Sequence, residues 1–231
     1  MKRKILLFFF FLFTSFLLNS QEVLRGRVRV EMEPIYGAYI DEYYPLDMEG
    51  ASRRALEEAA MFFSAQIYGW SFHYDIGERA RGIAEEFELR PLGEILWGDT
   101  SFHVTHTRLE TNHGSNVLSV WVDYRPREDQ RQRLEMWRMG NIRTAQGTGY
   151  GPWGDPEHVS GWMNIRREGL EDAARAAVRA MLQAQERNRP KEAHGLIALE
   201  SFPNYHISAG RWAVQARFRV LIEEIVPFAA H

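Results

Sequence analysis

Residues 51–75 read ASRRALEEAAMFFSAQIYGWSFHYD, and this stretch constrains the fold more than any other. Leu56, Ala59, Ala60, Phe63 and Ile67 recur at helical spacing and form one apolar stripe, while Arg53, Arg54, Glu57 and Glu58 fall off it. Gly69 supplies the stop, because glycine enters the left-handed conformation without a Cβ penalty. Trp70, Phe72 and Tyr74 then alternate with Ser71, His73 and Asp75, the period of a half-buried strand. A helix that turns on one glycine into an aromatic strand is built to dock on a sheet.

The chain begins with Lys2, Arg3 and Lys4, an apolar run from Ile5 to Leu18, and then Asn19 and Ser20. A basic start, a hydrophobic middle and a small residue at the cut define a secretory signal peptide, so residues 1–20 read as a leader cleaved near Ser20. Leu18 is large for the third position before the cut, but an uncleaved anchor would want about 20 apolar residues. The mature protein is therefore expected in the periplasm or outside the cell, with no integral membrane span after cleavage. The chain has no cysteine, which excludes both disulfides and a lipid-modified cysteine. Loss of Lys2, Arg3 and Lys4 takes the formal net charge from -3 to -6, since no acidic residue precedes Gln21. A mildly acidic chain is a poor phosphate-backbone binder, and nucleic acid is not an expected partner. About 210 mature residues suffice for one large domain or two small ones.

Beyond the leader, Leu24, Gly26, Val28, Val30 and Met32 alternate with Arg25, Arg27, Arg29 and Glu31 as a strand with one wet face. Asp47 is placed to cap the opening helix. Phe87 and Leu89 alternate as in a strand, with a short helix as the competing reading of residues 76–92. Phe102 and Val104, then Leu118, Val120 and Val122, flank a turn-rich segment and predict a hairpin over residues 102–124. Residues 125–139 read as a short surface helix with Leu134 and Trp137 as its apolar contacts. Glycine and proline are dense from 140 to 161, which reads as a long loop of the functional kind.

Residues 159–165 then suggest a short strand. Leu170, Ala173, Ala174, Ala177, Val178, Met181 and Leu182 form a second helical stripe, and residues 193–199 and 212–222 read as strands. The order strand, helix, strand, strand occurs twice, in pattern and not in letters. The expected fold is α+β, with antiparallel sheets, two main helices packed on one face and a duplicated βαββ unit. Its segments are the leader, a first α+β unit at 21–139, the Gly/aromatic loop at 140–161 and a second unit at 162–231.

Little in the sequence carries chemistry. His103 and His106 are three apart, a spacing that sends strand side chains to opposite faces; with Glu110 and His113 they approach a metal-binding set only if the hairpin bulges. No GxSxG elbow, GxGxxG turn or P-loop is present, and neither a catalytic residue, a metal nor a cofactor is expected. The acids at Glu85, Glu86 and Glu88, and at Glu223 and Glu224, read as solvated faces. Seven tryptophans and nine tyrosines remain to be explained, and several fall in connections. Tyrosine and tryptophan offer large rigid area with a polar tip, so Tyr150, Trp153, Tyr43, Tyr44 and Trp162 are the expected binding residues. The competing reading makes them lids over the core.

The run IYGWSFHYDIGERARGIAEEFELRPLGEI, residues 67–95, together with the leader, resembles small secreted periplasmic proteins of spirochaetes, some associated with the sheath of the periplasmic flagellum. The doubled strand and helix order looks like the βαββ modules of bacterial flagellar-assembly and envelope proteins. The resemblance implies envelope or flagellar proteins as partners and carries over no catalytic residue. The expected function is a non-enzymatic exported envelope protein that binds other proteins. The alternative is a periplasmic glycan- or peptide-acting enzyme or ligand binder, using His103, His106 or Glu110.

Overall fold

The computed structural model of the chain describes residues 22–33, 45–77, 82–96, 98–112, 115–152, 161–185 and 190–227. Twelve elements follow in order: β1 (Leu24–Glu31), α1 (Met48–Ile67), β2 (Trp70–Asp75), β3 (Glu86–Pro91), β4 (Phe102–Asn112), β5 (Ser115–Tyr124), α2 (Glu128–Met136), β6 (Arg143–Tyr150), α3 (Trp162–Gln185), β7 (Glu192–Leu199), β8 (Asn204–Ser208) and β9 (Arg211–Val226). The protein is α+β, as its patterning predicts. Among the described residues no helix is long and apolar enough to cross a membrane.

The strands form two antiparallel sheets. One has the order β1-β5-β4; the other runs β3-β2-β7-β9-β6, with β8 pairing the opening residues of β9. The order strand, helix, strand, strand occurs as β1–α1–β2–β3, and the second half runs β6–α3–β7–β8–β9, the same order once the short β8 is set aside. In the second set β6 pairs with β9, whereas in the first β1 leaves for the other sheet. β2 and β7 join the two sets, so strands from both halves of the chain share one sheet.

α1 starts where Asp47 accepts a hydrogen bond from the Gly50 backbone N–H at 2.7 Å. It ends at Gly69, whose φ is +66° and whose missing Cβ leaves room for Trp137 and Ala198, each 2.9 Å from the position a Cβ would take. The expected wet side of this helix is corrected in part. Arg54 and Glu58 are buried along with Ala55, Ala59, Phe62 and Phe63, because α1 packs against β1 and β5 as well as β7. A helix between two sheets has two buried sides. Phe63 ties the layers together, its ring 5.5 Å from Tyr124 and 4.8 Å from Phe202.

α3 packs beside α1 on the face where β2, β7 and β9 present Phe72, Tyr74, Ile197 and Phe218. The segment at 140–161 is not all loop, because β6 is an edge strand in register with β9, from Arg143↔Val220 to Tyr150↔Ala213. Its glycines serve close approach and not a turn: a Cβ on Gly147 or Gly149 would overlap the backbone of Ala173 in α3. The strand expected at 159–165 is likewise corrected, since Trp162 to Ile165 open α3 and the residues before 161 lie outside the described set. α2 lies where residues 125–139 predict it, with Leu134 and Trp137 buried. The Trp137 indole N–H donates to the Ile67 carbonyl at 3.0 Å.

Candidate functional site

A cleft of about 780 Å³ opens between the two sheets. β1 borders one side and β8 the other, while Glu58 and Phe62 of α1 and Arg166 of α3 form its floor. Among the described residues β1 pairs only with β5 and β8 only with β9, so each meets the cleft with a strand edge free of a second partner.

The floor is charged. Arg166 stands one turn into α3, and its guanidinium lies 3.7 Å from the Trp212 ring centroid and 4.3 Å from that of Tyr205. Its Nη2 donates to Glu31 Oε2 at 3.3 Å, and its Nε is 3.7 Å from Glu58 Oε1. Tyr205 donates its hydroxyl to the Arg166 carbonyl at 2.9 Å. Burial pushes the Glu58 carboxyl up to about 7; Arg166 pulls it back and Glu31 adds to the rise, but neither charge outweighs the loss of water. Glu58 Oε2 has no hydrogen-bond partner among the described residues. Burial also raises the Tyr205 phenol well above its ordinary value.

Of the expected binding residues, Tyr150 is exposed at the end of β6 with Arg211 stacked 4.1 Å from its ring centroid, and its backbone N–H donates to Asp172. Trp162 opens α3 with the Arg54 guanidinium 5.3 Å from its ring centroid. Trp153, Tyr43 and Tyr44 lie outside the described residues. Arginine on aromatic is thus repeated at Arg54–Trp162, Arg166–Tyr205 and Trp212, and Arg211–Tyr150.

The β4–β5 hairpin does bulge, between Val104 and His106, so His103 and His106 sit opposite Asp123 and Trp121 on one face. His106 stacks on Trp121, with the ring centroids 4.9 Å apart, and neither histidine lines the inter-sheet cleft. Three other chelating side chains do converge: His73, Glu192 and His194 bring one ligand atom each within 4.8 Å of the others. Glu85 is no free acid, since it accepts from Tyr74 at 2.7 Å and pairs with Arg179.

Sequence reasoning missed the cleft because Arg54 and Glu58 carry the signature of a wet helix face. It missed the histidine pair because 121 residues separate its members. The one available signal was positional: each histidine follows the long helix of its own strand and helix set.

Fold and cleft define an α+β protein with two antiparallel sheets and an arginine and aromatic groove between them. A protein-family model matches residues 14–228, most of the chain, and the chain belongs to that family. A protein of Treponema pallidum (strain Nichols), named only as an uncharacterized protein, is 24% identical over 175 residues, covering 76% of this chain and 69% of that protein. No solved structure matches the chain.

Proposed function

We propose that this is a non-enzymatic exported envelope protein that binds an extended segment of another envelope protein in the inter-sheet cleft, as an accessory of the periplasmic flagellum. One observation carries the reading: the cleft is floored by arginine and aromatic groups and bordered by edges of β1 and β8 that, among the described residues, pair with no further strand. Strand edges accept extended chain through main-chain hydrogen bonds, and side pockets add selectivity. Arginine, tyrosine and tryptophan are the residues that protein interfaces favour. The leader supports export, and the spirochaete relative together with the resemblance of residues 67–95 makes the flagellum the first assembly to test.

The test is crosslinking capture from a native spirochaete envelope, comparing wild type with an Arg27→Glu, Asn204→Trp double variant. Both positions line the cleft and are exposed, so the fold should survive. Loss of a flagellar protein from the captured set supports the reading. An unchanged set places the interface elsewhere, and a set without flagellar proteins removes the flagellar part.

A second reading rests on Glu58. A carboxyl pushed up to about 7 inside a cleft is suited to general acid and base chemistry on a glycan or peptide. Hydrolysis of peptidoglycan fragments that Glu58→Gln abolishes would favour this reading over the first.

A further inference from the structure

His73 and His194 are direct cross-strand partners on β2 and β7, on the polar face of the six-stranded sheet opposite the helices. Their Nδ1 atoms are 3.2 Å apart, and the ring centroids are 4.5 Å apart with the planes inclined by 38°. A tetrahedral ion with metal–nitrogen bonds of about 2.0–2.1 Å spaces two nitrogen ligands by ~3.3 Å. The pair is already set at that edge length. Glu192 lies two residues before His194, with Oε1 2.6 Å from Lys191 Nζ and Oε2 3.8 Å from His194 Nε2.

The surroundings favour a cation. Glu88, His73, His194 and Glu224 are successive cross-strand partners on four strands, so an acid flanks each histidine. Asp75 pairs with both Glu86 and Glu192 in the neighbouring row. Arg90 engages Glu88 and Lys191 engages Glu192, which leaves Asp75, Glu86 and Glu224 adding negative potential. The β7–β9 pairing is bulged beside His194, with Glu223 of β9 the extra residue between the partners of His194 and Gly195, a device found near functional sites.

We propose that His73, His194 and Glu192 bind one divalent transition-metal ion of the zinc class. Imidazole with carboxylate suits zinc, nickel and copper over magnesium and calcium, which prefer all-oxygen shells. Three protein ligands leave a coordination position open, and the site faces solvent, so water or a group from outside completes it. This site lies on a different face from the cleft and stands independently of the protein-binding reading.

The test is calorimetric titration of an untagged preparation of the chain with zinc chloride, with magnesium chloride as the control. One zinc per chain is expected, with no response to magnesium. His73→Ala and His194→Ala abolish the binding, Glu192→Gln weakens it by about tenfold or more, and His106→Ala leaves it unchanged. Cobalt in place of zinc should give the visible spectrum of a four-coordinate ion. No stoichiometric zinc binding, or binding that survives both histidine substitutions, overturns the proposal. If either variant fails to fold, zinc protection of His73 and His194 from diethyl pyrocarbonate in the wild-type chain replaces it, and absence of protection is equally decisive.

Discussion

Glu58 and Arg166 face each other across 3.7 Å at the floor of the cleft, with 3% and 6% of their side chains exposed. Each is held by a different helix, and both belong to the group that the two sheets close over. A pair this dry does not guarantee two charges, because desolvation raises the carboxyl while the guanidinium, stacked on two aromatic rings, stays charged.

The Glu58 carboxyl has a folded pKa of about 7 against an ordinary 4.5, so the folded state binds its proton more tightly than the unfolded state. Its favourable contribution is complete below pH 4.5 and is lost as pH rises through 7. The full swing is about 3 kcal/mol. Urea denaturation at pH 5 and pH 8 should show wild type losing stability over this interval relative to Glu58→Gln. Taking the difference between the two proteins cancels the titration of histidines common to both. Parallel curves would place the Glu58 pKa near its ordinary value.

β6 packs on α3 through glycine. Gly147→Ala should cost about 1–3 kcal/mol, because the new methyl meets the Ala173 carbonyl and neither strand nor helix backbone can yield cheaply. Gly140→Ala is the matched control, with nothing within 4 Å of its Cβ position. Thermal midpoints of the two variants decide the matter: equal values would mean that β6 and α3 are not in close contact.

The contrast between these glycines marks what the sequence makes legible. Strands with one wet face, such as β1 and β9, declare themselves by alternation, and α1 by its stripe and its stops at Asp47 and Gly69. β6 does not, because Gly147 and Gly149 carry the signature of a turn while serving as contact points for a helix. Glu58 and Arg54 mislead in the opposite sense: local pattern reports one buried side, and a helix placed between two sheets has two. Tyr150 and Trp162 were legible as aromatics to be explained, but the arginines stacked on them come from Arg211 and Arg54, distant in sequence. The cleft and the histidine pair are long-range products of strand order, and no local window contains them.

Trp137 anchors α2 to the end of α1. Trp137→Phe keeps most of the ring but removes the N–H that the Ile67 carbonyl accepts, leaving that carbonyl short of a partner in a buried place. The expected cost is about 1–3 kcal/mol, measured by urea denaturation with an unchanged slope. A cost near zero would mean that water replaces the indole.

Removing Arg166 tests whether the floor of the cleft acts as one unit. Arg166→Met preserves length and apolar bulk but leaves Glu31 and Glu58 without their shared cation, so the loss should be about 3–5 kcal/mol at pH 8. At pH 5 Glu58 holds its proton and has no charge to compensate, so the loss there should be smaller. Adding Glu58→Gln to Arg166→Met should recover much of the pH 8 loss, and the double-mutant cycle reads this as a coupling of about 1 kcal/mol or more. Additive losses would instead assign the role of Arg166 to its stacking between Tyr205 and Trp212, with Glu58 a bystander.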